Sequence, residues 1–151
     1  MRLLINDRVD VALAAGADGV HLGQDDLPVV KARELLGTRA IIGISVDSAE
    51  EAQAAEVLPV DYIAIGPVFA TSSKLDAGPM VSLAGVRKAA DSINKPLVAV
   101  GGIDLSNAGA VLAAGCDCVA VLSALHGPGS LKHTTRKLMD AAEAAFSLRA
   151  D

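Results

Sequence analysis

The chain is predicted to be an α/β protein in which a parallel sheet is built from about six βα units. Two observations predict this. Short apolar, β-prone runs such as Tyr62-Ile63-Ala64-Ile65 and Leu97-Val98-Ala99-Val100 alternate with segments whose apolar residues recur at helical spacing, and strands of that kind suit burial on both faces. There is also an internal echo: Ala14-Ala15-Gly16-Ala17-Asp18-Gly19-Val20 returns as Ala113-Ala114-Gly115-Cys116-Asp117-Cys118-Val119, and Asp61 before Tyr62 is a looser third copy. Each copy reads as helix stop, Asp, strand start, as expected of units repeated on one plan.

In order, Leu3-Leu4-Ile5 reads as a first strand ended by Asn6-Asp7. Val9, Ala12 and Leu13 mark a helix from Arg8 to Ala15 that Gly16 closes, glycine being favoured just past a helix end. Gly19 to Leu22 is a second strand, and Pro28 introduces a helix over Val29 to Leu36 that Gly37 stops. Ile41 to Ile44 is a third strand with Ser45 to Ser48 at its end. Ser48 and Glu51 form a capping box for a helix running to about Val57. Tyr62 to Ile65 is the fourth strand, and the following loop, Gly66 to Val81, is the longest in the chain, a length associated with lids and binding loops. A helix from Leu83 to about Ala90, the strand Leu97 to Val100, a helix capped by Asp104 or Ser106, the strand Val119 to Leu122 and a last helix from Leu131 to Phe146 complete the series, with a turn at Gly127-Pro128-Gly129.

With 151 residues, 52% of them hydrophobic, and a mean hydropathy of +0.44, the chain can bury a core as a single domain or part of one. Aromatic residues make up only 2%, so that core must be aliphatic. A net charge of -5 argues against nucleic acid or a membrane surface as partner, since both call for a basic field. Met1-Arg2 followed by three apolar residues is too short for a signal-peptide core, and no apolar run approaches the ~18 residues that cross a bilayer; a cytoplasmic or organelle-stroma location is expected. Cys116 and Cys118 are read as small buried side chains without a function. His21 is read as a core histidine, and His126 and His133 as surface residues.

Parallel strands place their C-terminal ends together, where α/β folds bind ligands. Asn6-Asp7, Gln24-Asp25-Asp26, Ser45, Thr71-Ser72-Ser73-Lys74, Gly101-Gly102 and Ser123 all fall there. Three hydroxyls and an ammonium suit a phosphate, and a double glycine after a strand lets backbone amides approach one. Asp7 and Asp26 are the expected Mg²⁺ ligands, because Mg²⁺ takes one or two carboxylates plus phosphate oxygens and water. The alternative for both is helix capping.

Taken together, LLINDRVDVALAAGADGVHLGQDD, IIGIS, YIAIGPVFATSSK, VAVGGI and CVAVLSAL resemble the successive signatures of the thiamine-phosphate synthase family, from Leu3 to about Leu125. The resemblance implies a (β/α)₈ barrel of TIM type and a Mg²⁺-dependent transferase. Such an enzyme joins hydroxymethylpyrimidine pyrophosphate to thiazole phosphate and releases pyrophosphate. It further implies that Asp7 and Asp26 hold the metal, that Asn6, Ser45 and Lys74 contact the pyrimidine or its pyrophosphate, and that Thr71, Ser72, Ser73, Gly102, Leu122 and Ser123 hold the thiazole phosphate, beside Gly101 of the double glycine. A homo-oligomer, or fusion to a pyrimidine or thiazole kinase domain, is compatible with it. Where relatives often have Pro-Thr-x-Thr-Lys this chain has Ala70-Thr71-Ser72-Ser73-Lys74, so Ser73 keeps a hydroxyl in place of Thr. Asp47 stands where many relatives, and the related thiazole tautomerase, have His, which ranks the tautomerase second. A (β/α)₈ barrel needs ~200 residues or more, so the first two βα units, with a Gln-x-Arg-x-Lys segment that grips the pyrophosphate, are expected to be missing from these 151 residues. The chain alone is then expected to be weak or inactive, which leaves a non-catalytic phosphate-binding fragment as the third reading.

Overall fold

Each strand in the computed structural model hydrogen-bonds in parallel to the next one in the chain, giving a six-stranded sheet of order β1-β2-β3-β4-β5-β6. The structure describes residues 1–71, 78–126 and 130–148. The strands are β1 (Leu4–Asn6), β2 (Gly19–Leu22), β3 (Ile41–Val46), β4 (Tyr62–Ile65), β5 (Leu97–Val100) and β6 (Cys118–Ala120). Between and after them lie α1 (Val9–Ala15), α2 (Val29–Leu36), α3 (Ala49–Ala55), α4 (Ser82–Ser92), α5 (Ala108–Ala113) and α6 (Leu131–Ser147), with a single 3₁₀ turn at Ser123–Leu125. Sequential order with right-handed crossovers keeps every helix on one face. That is the winding of a barrel wall, not of a doubly wound sheet whose strand order reverses.

Register partners share a face, so the two faces can be read off directly. Leu22, Ile44, Ile63 and Leu97 are aligned across four strands, and Val46, Ile65 and Ala99 across three. These rows pack under the helices, whose contributions are small: Ala12, Ala32, Ala52, Ala89 and Ala108 are all buried. Alanines let the helices lie close to the sheet, which is how a core with so few aromatic residues reaches native density. The opposite face carries Asn6, His21, Gly43 and Tyr62 in one row and Ser45, Ala64, Val98 and Cys118 in the next.

The repeated aspartates have a structural job. Asp18 accepts the Leu3 N–H through Oδ2 at 2.8 Å and donates its own N–H to the Leu3 carbonyl at 2.8 Å. Asp61 does the same to Ile42, at 2.8 and 2.7 Å, and Asp117 to Leu97, at 2.8 Å in both bonds. One carboxylate and one peptide thus pin β1 to β2, β3 to β4, and β5 to β6 at their N-terminal ends, where an unpaired N–H would otherwise be left.

Several boundaries differ from expectation for identifiable reasons. β3 continues through Ser45 and Val46 because both pair with β4, so Ser45 lies within the strand and not in the loop beyond it. β6 ends at Ala120 and gives way to the 3₁₀ turn; it is paired along one side only among the described residues, and Leu122 and Ser123 leave the sheet. The capping box at α3 is half formed: Ser48 Oγ accepts the Glu51 N–H at 3.1 Å, whereas Glu51 Oε2 accepts from the Asp47 N–H at 2.7 Å instead of from Ser48. α5 starts from Asn107, with Asp104 turned into the loop to accept from Ser106 N and Oγ. Cys116 is buried as expected, but Cys118 is exposed because β6 has no neighbour covering it among the described residues.

Candidate functional site

The C-terminal ends of β1, β2 and β3 converge on His21. The Asp7 N–H donates to the His21 carbonyl at 2.8 Å, and Asp7 itself has φ +62°, a left-handed conformation that a non-glycine residue adopts at some cost and that turns its side chain out of the strand. Asp26 sits in the turn after β2, where its Oδ2 accepts the Gly23 N–H at 2.6 Å, and its charge acts on the His21 ring. α1 is entered through Arg8 and α2 through Pro28, neither with a side-chain capping bond, so the capping alternative does not account for Asp26. The Asp7 backbone and the Asp26 carboxylate therefore both act on one histidine at one end of the sheet.

His21 was expected in the core. It lies half-buried on the inner face, where Nδ1 is 2.9 Å from Tyr62 Oη and Nε2 is 2.8 Å from Ser45 Oγ. Its ring stacks on Tyr62 with centroids 5.5 Å apart and planes 20° from parallel. Gly43, between them in the register row, makes this possible: a Cβ there would lie 2.1 Å from Tyr62 Cζ. Burial pushes the His21 pKa down, with partial opposition from Asp26, and burial pushes the Tyr62 phenol up. The imidazole is thus held neutral and the phenol protonated. Because the folded-state pKa of His21 lies below the unfolded one, the unfolded chain takes up this proton first as pH falls through the ordinary histidine value of ~6.5. Stability should therefore drop between about pH 7.5 and 5.5, and His21→Gln should blunt that drop. Denaturation midpoints of the two proteins across the window check this, and an equal loss in both would remove His21 as its source.

On the other side of the inner face, the loop after β4 lies along the end of β5. Val68 donates to the Val100 carbonyl at 3.0 Å and Phe69 to that of Gly101 at 3.1 Å. Gly101 and Gly102 have φ +96° and +64°, and Cβ atoms on them would meet Pro67 and Ala70 O at 2.6 Å. The space that side chains on this double glycine would need is filled by the neighbouring loop. The carbonyls of both glycines are engaged, that of Gly102 by Asn107 Nδ2 at 2.9 Å, so N–H groups are what this turn can offer an anion. Thr71 ends the described part of the loop; Ser72, Ser73 and Lys74 lie outside the described residues. Leu122 and Ser123 are exposed beside the 3₁₀ turn, and Asn6, also exposed, ends β1. His126 and His133 are on the surface as expected. Sequence reasoning missed His21 and Tyr62 as parts of this site. The signal available was strand parity, since Asn6, His21, Ser45 and Tyr62 all fall on one face once the register is known.

Among the described residues no group of three or more His, Cys, Asp or Glu side chains is arranged to hold a metal, and no helix is long and apolar enough to cross a membrane. Residues 1–125 match the family model described as thiamine monophosphate synthase. The chain is 49% identical over 139 residues to a thiamine-phosphate synthase of Methanospirillum hungatei, covering 92% of this chain and 68% of that protein. It is 52% identical over 135 residues to one of Laribacter hongkongensis, covering 89% and 64%. Among solved structures it resembles a thiamine phosphate pyrophosphorylase from Pyrococcus furiosus, with a TM-score of 0.83 and 42% identity over 94% of this chain and 67% of that one. The chain thus spans about two thirds of the length of the relatives it matches.

Proposed function

This chain belongs to the thiamine monophosphate synthase family, and on that premise we propose that its site joins hydroxymethylpyrimidine pyrophosphate to thiazole phosphate, giving thiamine phosphate and pyrophosphate. The observation that supports the reading is the contact of His21 with Ser45 and Asp26, with Asn6 beside it in register and the Asp7 N–H on its carbonyl, at the C-terminal end of the sheet. The bond from the pyrimidine methylene carbon to the pyrophosphate oxygen breaks first, and its electron pair leaves with the pyrophosphate. The thiazole nitrogen then supplies the pair for the new C–N bond. No strong base is required, and a neutral His21 fits, because an imidazolium beside the developing cation would oppose it. Asn6 and Ser45 can orient the pyrimidine through hydrogen bonds.

Two carboxylate residues, one just after β1 and one in the turn after β2, suit an ion that takes its remaining ligands from phosphate and water. Asp7 and Asp26 would hold it. Mg²⁺, when bound there, supplies charge neutralisation on the leaving pyrophosphate. Thr71, Ser72 and Ser73, the N–H groups of Gly101 and Gly102, Leu122 and Ser123 form the proposed thiazole-phosphate side, and Lys74 is assigned to the pyrimidine pyrophosphate. Holding the two reactants face to face is the larger part of the task.

Calorimetry on the chain tests this. Hydroxymethylpyrimidine pyrophosphate should bind in a Mg²⁺-dependent manner, and Asp7→Asn or Asp26→Asn should weaken that binding by about tenfold or more, the scale of a charge-assisted contact, while leaving thiazole phosphate binding in place. Failure of both ligands to bind, or pyrophosphate binding indifferent to Mg²⁺ and to both substitutions, would overturn the reading.

A further inference from the structure

We propose that Tyr62 and His21 form a directed hydrogen-bond relay that makes Ser45 a donor toward the ligand, so that the site selects an aromatic heterocycle with an unprotonated ring nitrogen. The pyrimidine identity rests on the function proposed above; the direction of the relay does not. Both ring nitrogens of His21 are bonded to hydroxyls, Nδ1 to Tyr62 and Nε2 to Ser45. A neutral imidazole has one N–H and one bare nitrogen. One hydroxyl must therefore donate to the ring, and the other must accept from it.

The chemistry of the two hydroxyls decides which. A phenol, with a pKa of ~10, is a far better donor than an alkyl hydroxyl, and its oxygen, conjugated with the ring, is the poorer acceptor. Tyr62 therefore donates to Nδ1, and the proton of the imidazole sits on Nε2 and is given to Ser45 Oγ. Ser45 has accepted; its own O–H remains to be given elsewhere. Ser45 lies on the inner face in register with Ala64, a side chain with no acceptor, so the proton is offered to whatever occupies the open face. A ring nitrogen with its lone pair in the heterocycle plane meets that offer. A C–H at the same place does not, and would leave the donor unpaired.

Gly43 leaves room for this arrangement, because the Tyr62 ring occupies the space a side chain at that position would fill. The stack between His21 and Tyr62 holds the imidazole plane, so Nε2 is aimed at Ser45 and not free to turn. Among the described residues, the charged and titratable groups that act on the two stacked rings are Asp26, on His21, and Cys118, on Tyr62. Tyr62 and His21 act through Ser45 and are positioning residues.

The test has two arms. Nitrogen-15 NMR of the histidine rings in the 151-residue chain at neutral pH should show His21 as the Nε2–H tautomer with a hydrogen-bonded bare Nδ1, and Tyr62→Phe should shift it to a mixture of tautomers. An Nδ1–H tautomer or an imidazolium in the unsubstituted chain would overturn the relay whatever the ligand. In the second arm, hydroxymethylpyrimidine pyrophosphate is compared with the two pyridine analogues in which one ring nitrogen is replaced by C–H. One analogue should bind about tenfold more weakly than the pyrimidine. Ser45→Ala should erase that discrimination, and Tyr62→Phe should reduce it while affinity for the weaker analogue stays the same. Discrimination unchanged in Ser45→Ala would overturn the donor role. The Nε2–H tautomer with no binding of any of the three compounds would sustain the relay and bring down the pyrimidine reading alone.

Discussion

Arg33→Ala is expected to cost the fold about 2–3 kcal/mol, the scale of hydrogen bonds to a charged group, although the residue lies at the opposite end of the sheet from the proposed site. The Arg33 side chain is only 17% exposed, and its guanidinium closes the N-terminal side of the sheet. Nη1 donates to the carbonyls of Gly37 and Ala40 at 3.0 and 2.6 Å, Nε and Nη2 reach the Pro59 carbonyl at 3.2 and 3.1 Å, and Nη2 pairs with Asp61 Oδ2 at 2.6 Å. The same Asp61 oxygen accepts the Ile42 N–H, so one guanidinium secures the end of α2, the connection into β3 and the clamp between β3 and β4. Alanine would leave three carbonyls and a carboxylate short of donors. The cost stays at a few kcal/mol because the Asp61 side chain is 48% exposed and water can replace part of what is lost. At roughly 2–4 °C per kcal/mol for a chain of this size, the melting temperature should fall by roughly 4–12 °C. Arg33→Lys should recover only a minor part, since one ammonium cannot span the fork. Thermal and urea melts of both variants measure this, and an alanine variant within about 0.5 kcal/mol of the parent, the range of an ordinary surface substitution, would show that water serves these carbonyls as well as Arg33 does.

Most of the wall was legible because a parallel strand leaves a strong trace. β2, β4, β5 and α2 begin and end where apolar runs meet Gly, Pro or Asp, and the echo around Asp18 and Asp117 marked a real device. The errors sit where long-range pairing outweighs local pattern. β3 runs on through Ser45 because β4 offers Ala64 and Ile65 as partners, information that residues 41–46 do not contain. β6 stops early and exposes Cys118 because it lies at the edge of the described sheet. The site was legible at its rim: Asn6, Asp7 and Asp26 end strands or turns, and polar residues there stand out against an apolar chain. Its floor was hidden, since His21 is flanked by Val20 and Leu22 and its partners are 24 and 41 residues away. Spacing along the chain cannot report such a contact; only register can.

Gly43→Ala should strike the wall and the site at once. Gly43 occupies a central strand, bracketed in its register row by His21 and Tyr62, and an added Cβ would lie 2.1 Å from Tyr62 Cζ, 2.4 Å from Oη and 2.5 Å from Cε1. No rotamer change of a methyl is available, so the phenol must move. Overpacking of this kind costs about 1–3 kcal/mol, and moving the ring also breaks the Tyr62 bond to His21 Nδ1 and the stack between the two rings. The variant should therefore melt earlier and lose the Nε2–H preference of His21 together. A compensating substitution separates a clash with Tyr62 from a general intolerance of β3 to alanine. Tyr62→Ala removes the obstructing ring, so Gly43→Ala made on top of it should cost little. The double variant should be at least about 1 kcal/mol more stable than the sum of the two singles, the size of coupling seen between residues in direct contact. Additive losses in urea melts would mean that the methyl is accommodated with the phenol in place, and the slot that Gly43 makes for Tyr62 would then be no condition of the relay.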